Sequence, residues 1–411
     1  MNAPGFTRKV SRDVFATSPR EGTMVLSSSY YTRAQGNTLL RADQEIYRSD
    51  SVDRVRFSIS DDNGKTWGKS ETIQTTLPEG TGTRQMAYRS GVCDPQQDRF
   101  VQIYNSAYWP NDDPLDGMRR WLTYYRVSTD GGRSWVINEP IIQTGEEYDA
   151  SHPLPGVWEG RNCCMLGDLT CVPFCMPSGE ILVPVQISPV GEDGYYHKPA
   201  HSFTFTDAAV LIGPWNDSGK IDWELSGRIA GDEEISTRGV IEPTLGLLSD
   251  HRLLMVMRGS NDGRFDLPAR RWFSISTDGG RTWPAARPWT YANGKAFFSP
   301  SSCSQLLHHS SGKLFWLGNI NPENSRGNGP RHPFVLGEVD PGSGLLQAET
   351  VSLIDERQCG DHELLTLSNF FAREDRETND ILLHMSRAFA HSKGTEHNWT
   401  TDANLYRIII G

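Results

Sequence analysis

The sequence predicts an all-β fold, a six-bladed β-propeller made of four-stranded antiparallel blades. Three observations predict it: a turn motif that occurs three times, six short apolar runs that recur at intervals of roughly 60 to 80 residues, and no helical periodicity over any long window. A series of hairpins of this kind is typical of a ring of short sheets. We therefore predict a single propeller domain over residues 1–411.

The turn motif has the pattern Ser-x-Asp-x-Gly-x-Thr/Ser-Trp, and each copy follows a strand-like run. The Asp side chain accepts hydrogen bonds from backbone N–H groups further along the turn, the Gly tolerates positive φ, and the Trp packs the turn against its sheet. Each copy therefore predicts the turn of a β-hairpin. The complete copies are residues 60–67, 128–135 and 276–283, and two degenerate copies are residues 217–223 and 340–344.

Each of the six apolar runs is followed by a turn containing Gly or Asp and then by another apolar strand, so each run marks one blade. The final strand, residues 404–410, is predicted to close the ring against the N-terminal segment. The innermost strand of the first blade is predicted within residues 13–20. The runs are residues 24–27, 100–104, 181–185, 253–257, 314–317 and 381–385, and the predicted blades span residues 11–80, 84–145, 150–232, 236–292, 295–350 and 360–411.

The composition excludes several classes of protein. Charged residues make up 22% of the chain and aromatic residues 10%, which is typical of a folded chain rather than a disordered one. No apolar stretch approaches the roughly 18 residues that a membrane-spanning helix needs, so no membrane insertion is predicted. The net charge of −11 argues against a nucleic-acid partner, which would require a basic stripe.

The chain has seven cysteines, an odd number that includes the adjacent pair Cys163 and Cys164, and this does not favour a disulfide framework. No metal-ligating residue and no cofactor is predicted, and the sequence leaves a structural metal open. The first nine residues contain no apolar segment, so no secretory signal is predicted in this sequence. The expected location is the cytoplasm, or the periplasm or the exterior if a signal has been removed.

Two charged residues of the fourth predicted blade are expected to meet. Glu242 begins an apolar strand, and Arg258 ends the partner strand after a turn near residues 249–252. A hairpin brings the far ends of its two strands together, and apolar flanks predict that both charges are buried. Buried charges need partners, so we expect an ion pair, which has either a structural or a functional role.

The repeated turn resembles the Asp box, or BNR repeat, of the sialidase (neuraminidase) superfamily. The resemblance implies a six-bladed propeller with its ligand site on the central axis. It also implies that Glu242 assists a nucleophile and that Arg258 is one of three arginines that hold the substrate carboxylate. The sequence departs from the family at the expected nucleophilic Tyr, since residues 369–371 are Asn-Phe-Phe, and residues 299–302 supply no clamp arginine.

Arginines accumulate where the innermost strands are predicted to begin, and guanidinium groups bind carboxylates in a bidentate geometry. We therefore predict an anionic sugar as ligand. Glu242 and Asp168 are predicted to act as acid and base on either side of a glycosidic bond. Tyr88 is a third catalytic candidate, a phenol whose pKa the adjacent Arg89 would lower. The predicted substrate-binding residues are Arg89, Arg161, Arg238, Arg258 and Arg331.

Three functions stay open at this point, and each has a carbohydrate as partner. The first is an exo-acting, sialidase-like glycoside hydrolase that removes a terminal acidic sugar, for which the resemblance implies an acid among Asp43, Asp50 and Asp53. The second is a lyase that acts on a glycan containing uronic acid, with Tyr88 or a loop histidine as its base. The third is a non-catalytic glycan-binding propeller. The sequence leaves the sugar, the linkage and the oligomeric state open. The loop histidines that could be the base of the lyase are His152, His197, His201 and His362.

Overall fold

The computed structural model describes residues 9–199, 202 and 204–410. Residues 1–8, on which the prediction about a secretory signal rests, and His201 lie outside the described residues. The regular secondary structure of the described chain is almost entirely β-strand, with one short helix, α1 (Pro114–Gly117), and one turn of 3-10 helix (Ala348–Thr350). None of the helices in this part of the chain is long and apolar enough to cross a membrane.

The strands form six antiparallel sheets, which we number as blades 1 to 6 in chain order. The strands are β1 (Val10–Ala16); in blade 1, β2 (Met24–Tyr31), β3 (Leu39–Ile46), β4 (Arg54–Ser60) and β5 (Glu71–Gln74); in blade 2, β6 (Thr76–Glu79), β7 (Gly82–Asp94), β8 (Arg99–Trp109), β9 (Leu122–Ser128) and β10 (Ile137–Pro140); in blade 3, β11 (Cys164–Met165), β12 (Phe174–Cys175), β13 (Ile181–Ile187), β14 (Asp207–Gly213) and β15 (Glu224–Leu225); in blade 4, β16 (Ile241–Leu247), β17 (Leu253–Arg258), β18 (Arg271–Ser276) and β19 (Arg287–Pro288); in blade 5, β20 (Gln305–His308), β21 (Leu314–Asn319), β22 (Phe334–Glu338) and β23 (Ser352–Asp355); and in blade 6, β24 (Phe370–Glu374), β25 (Ile381–Ser386) and β26 (Ala403–Ile408).

The blades stand in a closed ring, which confirms the predicted six-bladed propeller. Strands of neighbouring blades contact one another in succession: β2 contacts β7, and β7 contacts β12 of blade 3. Strand β13, which pairs with β12, contacts β16, β16 contacts β20, and β20 contacts β24. Contact of β24 with β2 completes the circle. Middle strands such as β13 and β14 are buried at every residue because a blade covers each face. Their sequences are therefore continuous apolar runs rather than alternating ones.

The ring closes through the N-terminal strand. β1 pairs with β26 from Val10 opposite Ile408 to Ala16 opposite Ala403, so β1 is the outermost strand of blade 6. The predicted closure is confirmed, but the assignment of residues 11–23 to blade 1 is wrong, because blade 1 begins at Met24. β1 is mostly exposed, as an outermost strand is, and its local sequence does not indicate which sheet edge it completes.

The repeated turns all occupy one position in the fold, between the last two strands of blades 1 to 5. In residues 276–283 the Ser276 hydroxyl donates to Asp278 at 2.7 Å and accepts from the Gly280 N–H at 3.0 Å. The Trp283 indole donates to the Gly280 carbonyl at 2.9 Å. Blade 6 has no such turn because its fourth strand comes from the other end of the chain.

Candidate functional site

A cavity of about 510 Å³ lies on the axis of the ring. Every blade contributes to its wall, as expected for a propeller whose innermost strands surround the axis. Ligand cavities of about 300–1,000 Å³ bury most of the surface of a drug-sized molecule, which is also the size of a disaccharide. Representative lining residues are Met24 of blade 1, Arg89 of blade 2, Asp168 of blade 3, Glu242 of blade 4, Arg331 of blade 5 and Asn369 of blade 6.

Glu242 occupies a distorted position at the start of β16. The register between β16 and β17 shifts between Ile241 and Thr244, and Glu242 has a φ of 46°. A non-glycine residue in the left-handed region is strained, and such strain persists where neighbouring contacts hold it. Here the Glu242 N–H donates to the Gln186 side-chain oxygen at 2.9 Å. The bulge therefore takes the carboxylate out of the strand alternation and places it in the cavity wall.

The pairing that the hairpin spacing predicts is present. Arg258 Nη1 donates to Glu242 Oε1 at 2.6 Å, and both side chains are buried. Burial alone would raise the pKa of Glu242, but the charge and hydrogen bond of Arg258 outweigh it, so the pKa lies well below its ordinary value. Glu242 Oε2 is buried and accepts no hydrogen bond from a nitrogen or oxygen donor in the described chain, although the nearby Cys303 thiol also lowers the pKa.

Three further arginines line the cavity. Arg238 donates to the Thr204 hydroxyl at 2.8 Å, and Arg331 donates to the Ser301 carbonyl at 2.9 Å. Arg89 is the extra residue of a bulge in β7, and its buried Nε has no hydrogen-bond partner among the described residues. The Ser301 carbonyl is a neutral acceptor, so this contact holds the Arg331 guanidinium group without cancelling its charge.

The arginines repel one another electrostatically. Burial and the neighbouring charge of Arg258 lower the pKa of Arg238 to about 9, and the same two causes lower the pKa of Arg331. The cavity wall carries the four arginines Arg89, Arg238, Arg258 and Arg331 against the two buried carboxylates Asp168 and Glu242. The exposed carboxylates of Asp50 and Glu363 also line the wall, so its four arginines face four acidic side chains, two of them buried.

The pKa of Asp168 is shifted in the opposite direction to that of Glu242. Its two carboxylate oxygens accept hydrogen bonds from the Leu169 N–H and from the Asn369 side-chain amide, each at 2.7 Å. Burial and the negative charge of Glu242 nevertheless raise its pKa, and these effects exceed the lowering by Arg89 and Asn369. The two carboxyl groups are thus driven apart in pKa, a pattern that separates a proton donor from an ionised group in acid–base sites.

Gly167 allows the start of blade 3 to approach Glu242. A Cβ at residue 167 would lie 2.5 Å from both the Gln186 Oε1 and the Glu242 Cγ. We expect Gly167→Ala to displace Glu242 and to reduce any turnover by an order of magnitude or more, since misplacement by about 1 Å costs on the order of 10²-fold. Steady-state kinetics beside a thermal melt check this. Gly294→Ala, where a Cβ meets no atom within 4 Å, is the control, although its positive φ of 83° adds local strain.

Two predicted site residues are not in the cavity wall. Tyr88 is buried in the core, where its ring lies 5.2 Å from that of Phe57 and the Arg126 guanidinium lies 4.5 Å from its centroid. The expectation of a lowered phenol pKa is wrong, because burial raises the pKa of Tyr88. The bulge separates Tyr88 from Arg89 and sends the two side chains to different surroundings.

Arg161 is the second of these residues, since the sequence predicts it at the axial start of blade 3. The structure places it instead in an exposed loop before β11, where its guanidinium lies 5.9 Å from the centre of the Trp158 ring. The innermost strand of blade 3 begins three residues later, at Cys164. Arg161 therefore does not join the other four arginines.

The remaining acidic candidates differ in position. Asp50 lies in the cavity wall and is exposed to solvent there. Asp43 is buried in blade 1, where it accepts from the Ser27 hydroxyl at 2.6 Å and pairs with Arg41. Asp53 is half-buried outside the cavity wall, and burial raises its pKa. Of the three, only Asp50 is placed to face a ligand on the axis.

The three histidine candidates that the structure describes, His152, His197 and His362, do not reach the cavity. His152 stacks on Trp158 at 4.8 Å, and His197 lies 3.6 Å from Glu233. His362 also lies outside the cavity wall. No group of three or more His, Cys, Asp and Glu side chains in the described chain is placed to hold a metal ion.

Some residues of the cavity carry no signal in the sequence. Asn369 has a φ of 55° and bonds Asp168 across the axis, although the two are 201 residues apart in the chain. Gln186 holds the backbone of Glu242. An aromatic group on the β25–β26 loop, Phe389, His397 and Trp399, also lines the cavity. In the sequence, Asn369 stands out only because it lies where the sialidase resemblance leads one to expect a Tyr.

Comparison with known proteins agrees with this architecture. A model of the BNR repeat-like domain matches residues 54–353. No curated protein matches the chain.

Three solved structures illustrate the similarity. A Dyadobacter fermentans protein of unknown function is 13% identical, with 97% of this chain and 99% of that chain covered and a TM-score of 0.60. Trypanosoma rangeli sialidase, in complex with the inhibitor DANA, is 12% identical, with 97% and 59% covered and a TM-score of 0.61. The NanB sialidase from Streptococcus pneumoniae is 13% identical, with 97% and 70% covered and a TM-score of 0.59.

At such identities the likeness to solved structures shows the fold, and this chain spans little more than half the length of the trypanosomal enzyme. The family match rests on the repeats themselves and covers most of the chain. The chain therefore belongs to the BNR repeat-like family, and its fold is that of a sialidase-superfamily propeller.

Proposed function

We propose that the protein is an exo-acting glycoside hydrolase of sialidase-like type that cleaves a terminal acidic sugar from a glycan. The observation that carries the proposal is the grouping of four arginines and two buried carboxylates in the wall of one axial cavity. Sialidases of the same fold supply a precedent for the ligand class, since Trypanosoma rangeli sialidase has been crystallised with sialic acid.

The arginines would bind the acid group of the sugar. Arg258 is already committed to Glu242 through Nη1, whereas Arg331 donates to the Ser301 carbonyl, which is a neutral oxygen. Guanidinium groups held in this way keep their attraction for a carboxylate and are oriented before it arrives. Burial strengthens that attraction because little water competes for the charge.

The two carboxyl groups would divide the proton transfers. Asp168, whose pKa is raised by burial and by Glu242, holds a proton at higher pH than an ordinary carboxyl group and donates it to the glycosidic oxygen as the C–O bond breaks. Glu242, whose pKa is lowered by Arg258, stays ionised and accepts a proton from the attacking water through Oε2, which has no nitrogen or oxygen donor among the described residues. The glycosidic oxygen thus leaves with the proton from Asp168, and the water oxygen bonds to the anomeric carbon as its proton passes to Glu242.

A lyase would need a base beside the proton next to the uronic carboxylate. Tyr88 is buried away from the cavity, and the loop histidines 152, 197 and 362 lie outside its wall. Among the described residues, His397 is the one histidine that lines it. The buried pair of carboxyl groups favours hydrolysis over elimination.

A panel of methylumbelliferyl glycosides tests the proposal. We expect fluorophore release from at least one nonulosonic or uronic acid glycoside and none from the matched glucoside and galactoside. Arg331→Met is expected to raise KM about 10- to 100-fold, because a charge-assisted hydrogen bond contributes about 1.5–3 kcal/mol. Formation of an unsaturated uronic acid, seen by ultraviolet absorbance without hydrolysis, would replace the hydrolase with a lyase, and binding of acidic sugars without any turnover would identify a binding protein.

A further inference from the structure

One wall of the axial cavity is aromatic rather than charged. Phe389, His397 and Trp399 line it from the loop that joins β25 to β26, and we call these three residues the aromatic platform. The Phe389 ring meets the His397 ring at 4.4 Å and the Trp399 ring at 5.0 Å, both edge-on. Phe389 and Trp399 are half-buried and His397 is exposed, so parts of all three rings remain accessible.

The loop that carries the platform is fixed at both ends. Near its start, the Ala388 carbonyl accepts from the Thr366 N–H at 2.9 Å. Near its end, the Thr401 carbonyl accepts from the Val25 N–H at 3.0 Å, which ties the loop to blade 1. Between these anchors Phe389 has a φ of 63°, a strained value for a bulky residue. Strain of this kind persists only where the surroundings impose it, and it is enriched at ligand sites.

The platform and the charged residues face the same space. Arg238 and Arg258 belong to blade 4 and Arg331 to blade 5, whereas the platform belongs to blade 6, and all of them line one cavity of about 510 Å³. That volume is in the range that accommodates a disaccharide. A ligand held by its acid group at the arginines therefore occupies the same cavity as the aromatic rings.

We propose that the aromatic platform binds the neutral sugar ring to which the terminal acidic sugar is linked. This inference rests on the proposed function, because it assigns the platform to the leaving group of that reaction. Aromatic rings supply a large, rigid and apolar contact area with a polar edge, which suits the C–H face of a pyranose ring that carries hydroxyl groups at its rim. The acidic sugar has its own partners in the arginines, so the platform is left for the uncharged neighbour.

Binding of neutral methyl pyranosides tests the inference without requiring turnover. Saturation-transfer NMR with methyl β-galactoside, methyl β-glucoside and methyl α-mannoside is expected to show weak, saturable binding of at least one of them in the millimolar range. Trp399→Ala and Phe389→Ala are each expected to weaken that binding about tenfold or more, and Trp399→Phe to retain most of it. Trp158→Ala, which removes an indole outside the cavity wall, is the matched control and leaves binding unchanged.

The outcomes separate this inference from the proposed function. The inference that the platform binds a neutral sugar is wrong if no methyl pyranoside binds. It is also wrong if a pyranoside binds and Trp399→Ala does not weaken the binding, with circular dichroism showing that the variant is folded. If no acidic glycoside is turned over but pyranoside binding depends on Trp399, the proposed hydrolase fails and the sugar site stands. If hydrolysis occurs, Trp399→Ala is expected to lower kcat/KM about tenfold for an acidic glycoside with a sugar leaving group, and to lower it much less for the methyl glycoside of the same acidic sugar. Equal effects on the two substrates also contradict the inference.

Discussion

Replacement of Glu242 by Gln is expected to lower kcat/KM for an acidic glycoside by about 10³-fold, within the range of positioned acid–base groups. The carboxylate is kept ionised by Arg258 at 2.6 Å and carries one buried oxygen without a nitrogen or oxygen donor among the described residues. Gln preserves the shape of the side chain and an oxygen for Arg258 but cannot take a proton from water. Steady-state kinetics on the substrate found in the glycoside panel measures the loss.

A stability measurement separates this role from that of a structural ion pair. Removing one partner of a buried pair costs about 3–5 kcal/mol when the other charge is left uncompensated, and Gln is expected to cost less because it keeps the hydrogen bond. Replacing both residues, Glu242→Gln with Arg258→Met, removes the orphaned charge and is expected to recover the thermal midpoint without recovering activity. A Glu242→Gln variant that loses stability but keeps full activity would falsify the catalytic assignment.

Substitution of Asp168 by Asn is expected to have the second large effect, a loss of activity of about 10²- to 10⁴-fold for glycosides with poor leaving groups. The loss should shrink for a methylumbelliferyl leaving group, which departs with less help from an acid. Burial and Glu242 raise the pKa of Asp168, so its protonated form is favoured by the folded state. Activity should therefore fall as the pH rises through that pKa, and the Asn variant should lack this alkaline limb.

The sign of the stability change is a further check. A carboxyl group with a raised pKa in the folded state contributes stability below its unfolded pKa, near 3.8, and that contribution is lost as the pH rises through the folded value. The Asn side chain is neutral at every pH and carries no buried charge, so Asp168→Asn is expected to keep or raise the thermal midpoint at neutral pH. A marked drop in the midpoint at neutral pH, with activity retained, contradicts a role in proton transfer.

Asn369 offers a matched test of the same proton. Its amide donates to Asp168 at 2.7 Å and favours the ionised form of that carboxyl group. Asn369→Leu removes the donor, so the pKa of Asp168 should rise and the alkaline limb of the pH profile should move upward. An alkaline limb that stays in place, or moves down, shows that another group sets it.

Much of the fold was predictable because the signals are local. A turn motif needs only eight consecutive residues, and its Ser, Asp, Gly and Trp make their contacts within it, as residues 276–283 show. The Glu242–Arg258 pair was predictable for the same reason, since one hairpin fixes which residues stand opposite. The misplaced strand β1 differs because its partner, β26, lies at the far end of the chain.

The cavity was predictable only in part. Arg89, Arg238, Asp168 and Arg331 line it as their positions near the starts of strands suggested, but Tyr88 and Arg161 do not. A bulge of one residue in β7 decides between Arg89 and Tyr88 by changing which side chain faces the axis. A bulge depends on the fit between two strands and their neighbours, so no single strand sequence reveals it.

By itself the sequence determined the propeller, its repeated turns and the charged pair of blade 4, because each depends on residues that are neighbours along the chain or across one hairpin. Only the tertiary structure decided which side chains share the axial cavity, that Asn369 bonds Asp168, and that an aromatic platform stands beside the arginines. The physical reason is that the axis gathers one short segment from each of six blades. Their distances, and the pKa values that follow from them, exist only once the ring has closed.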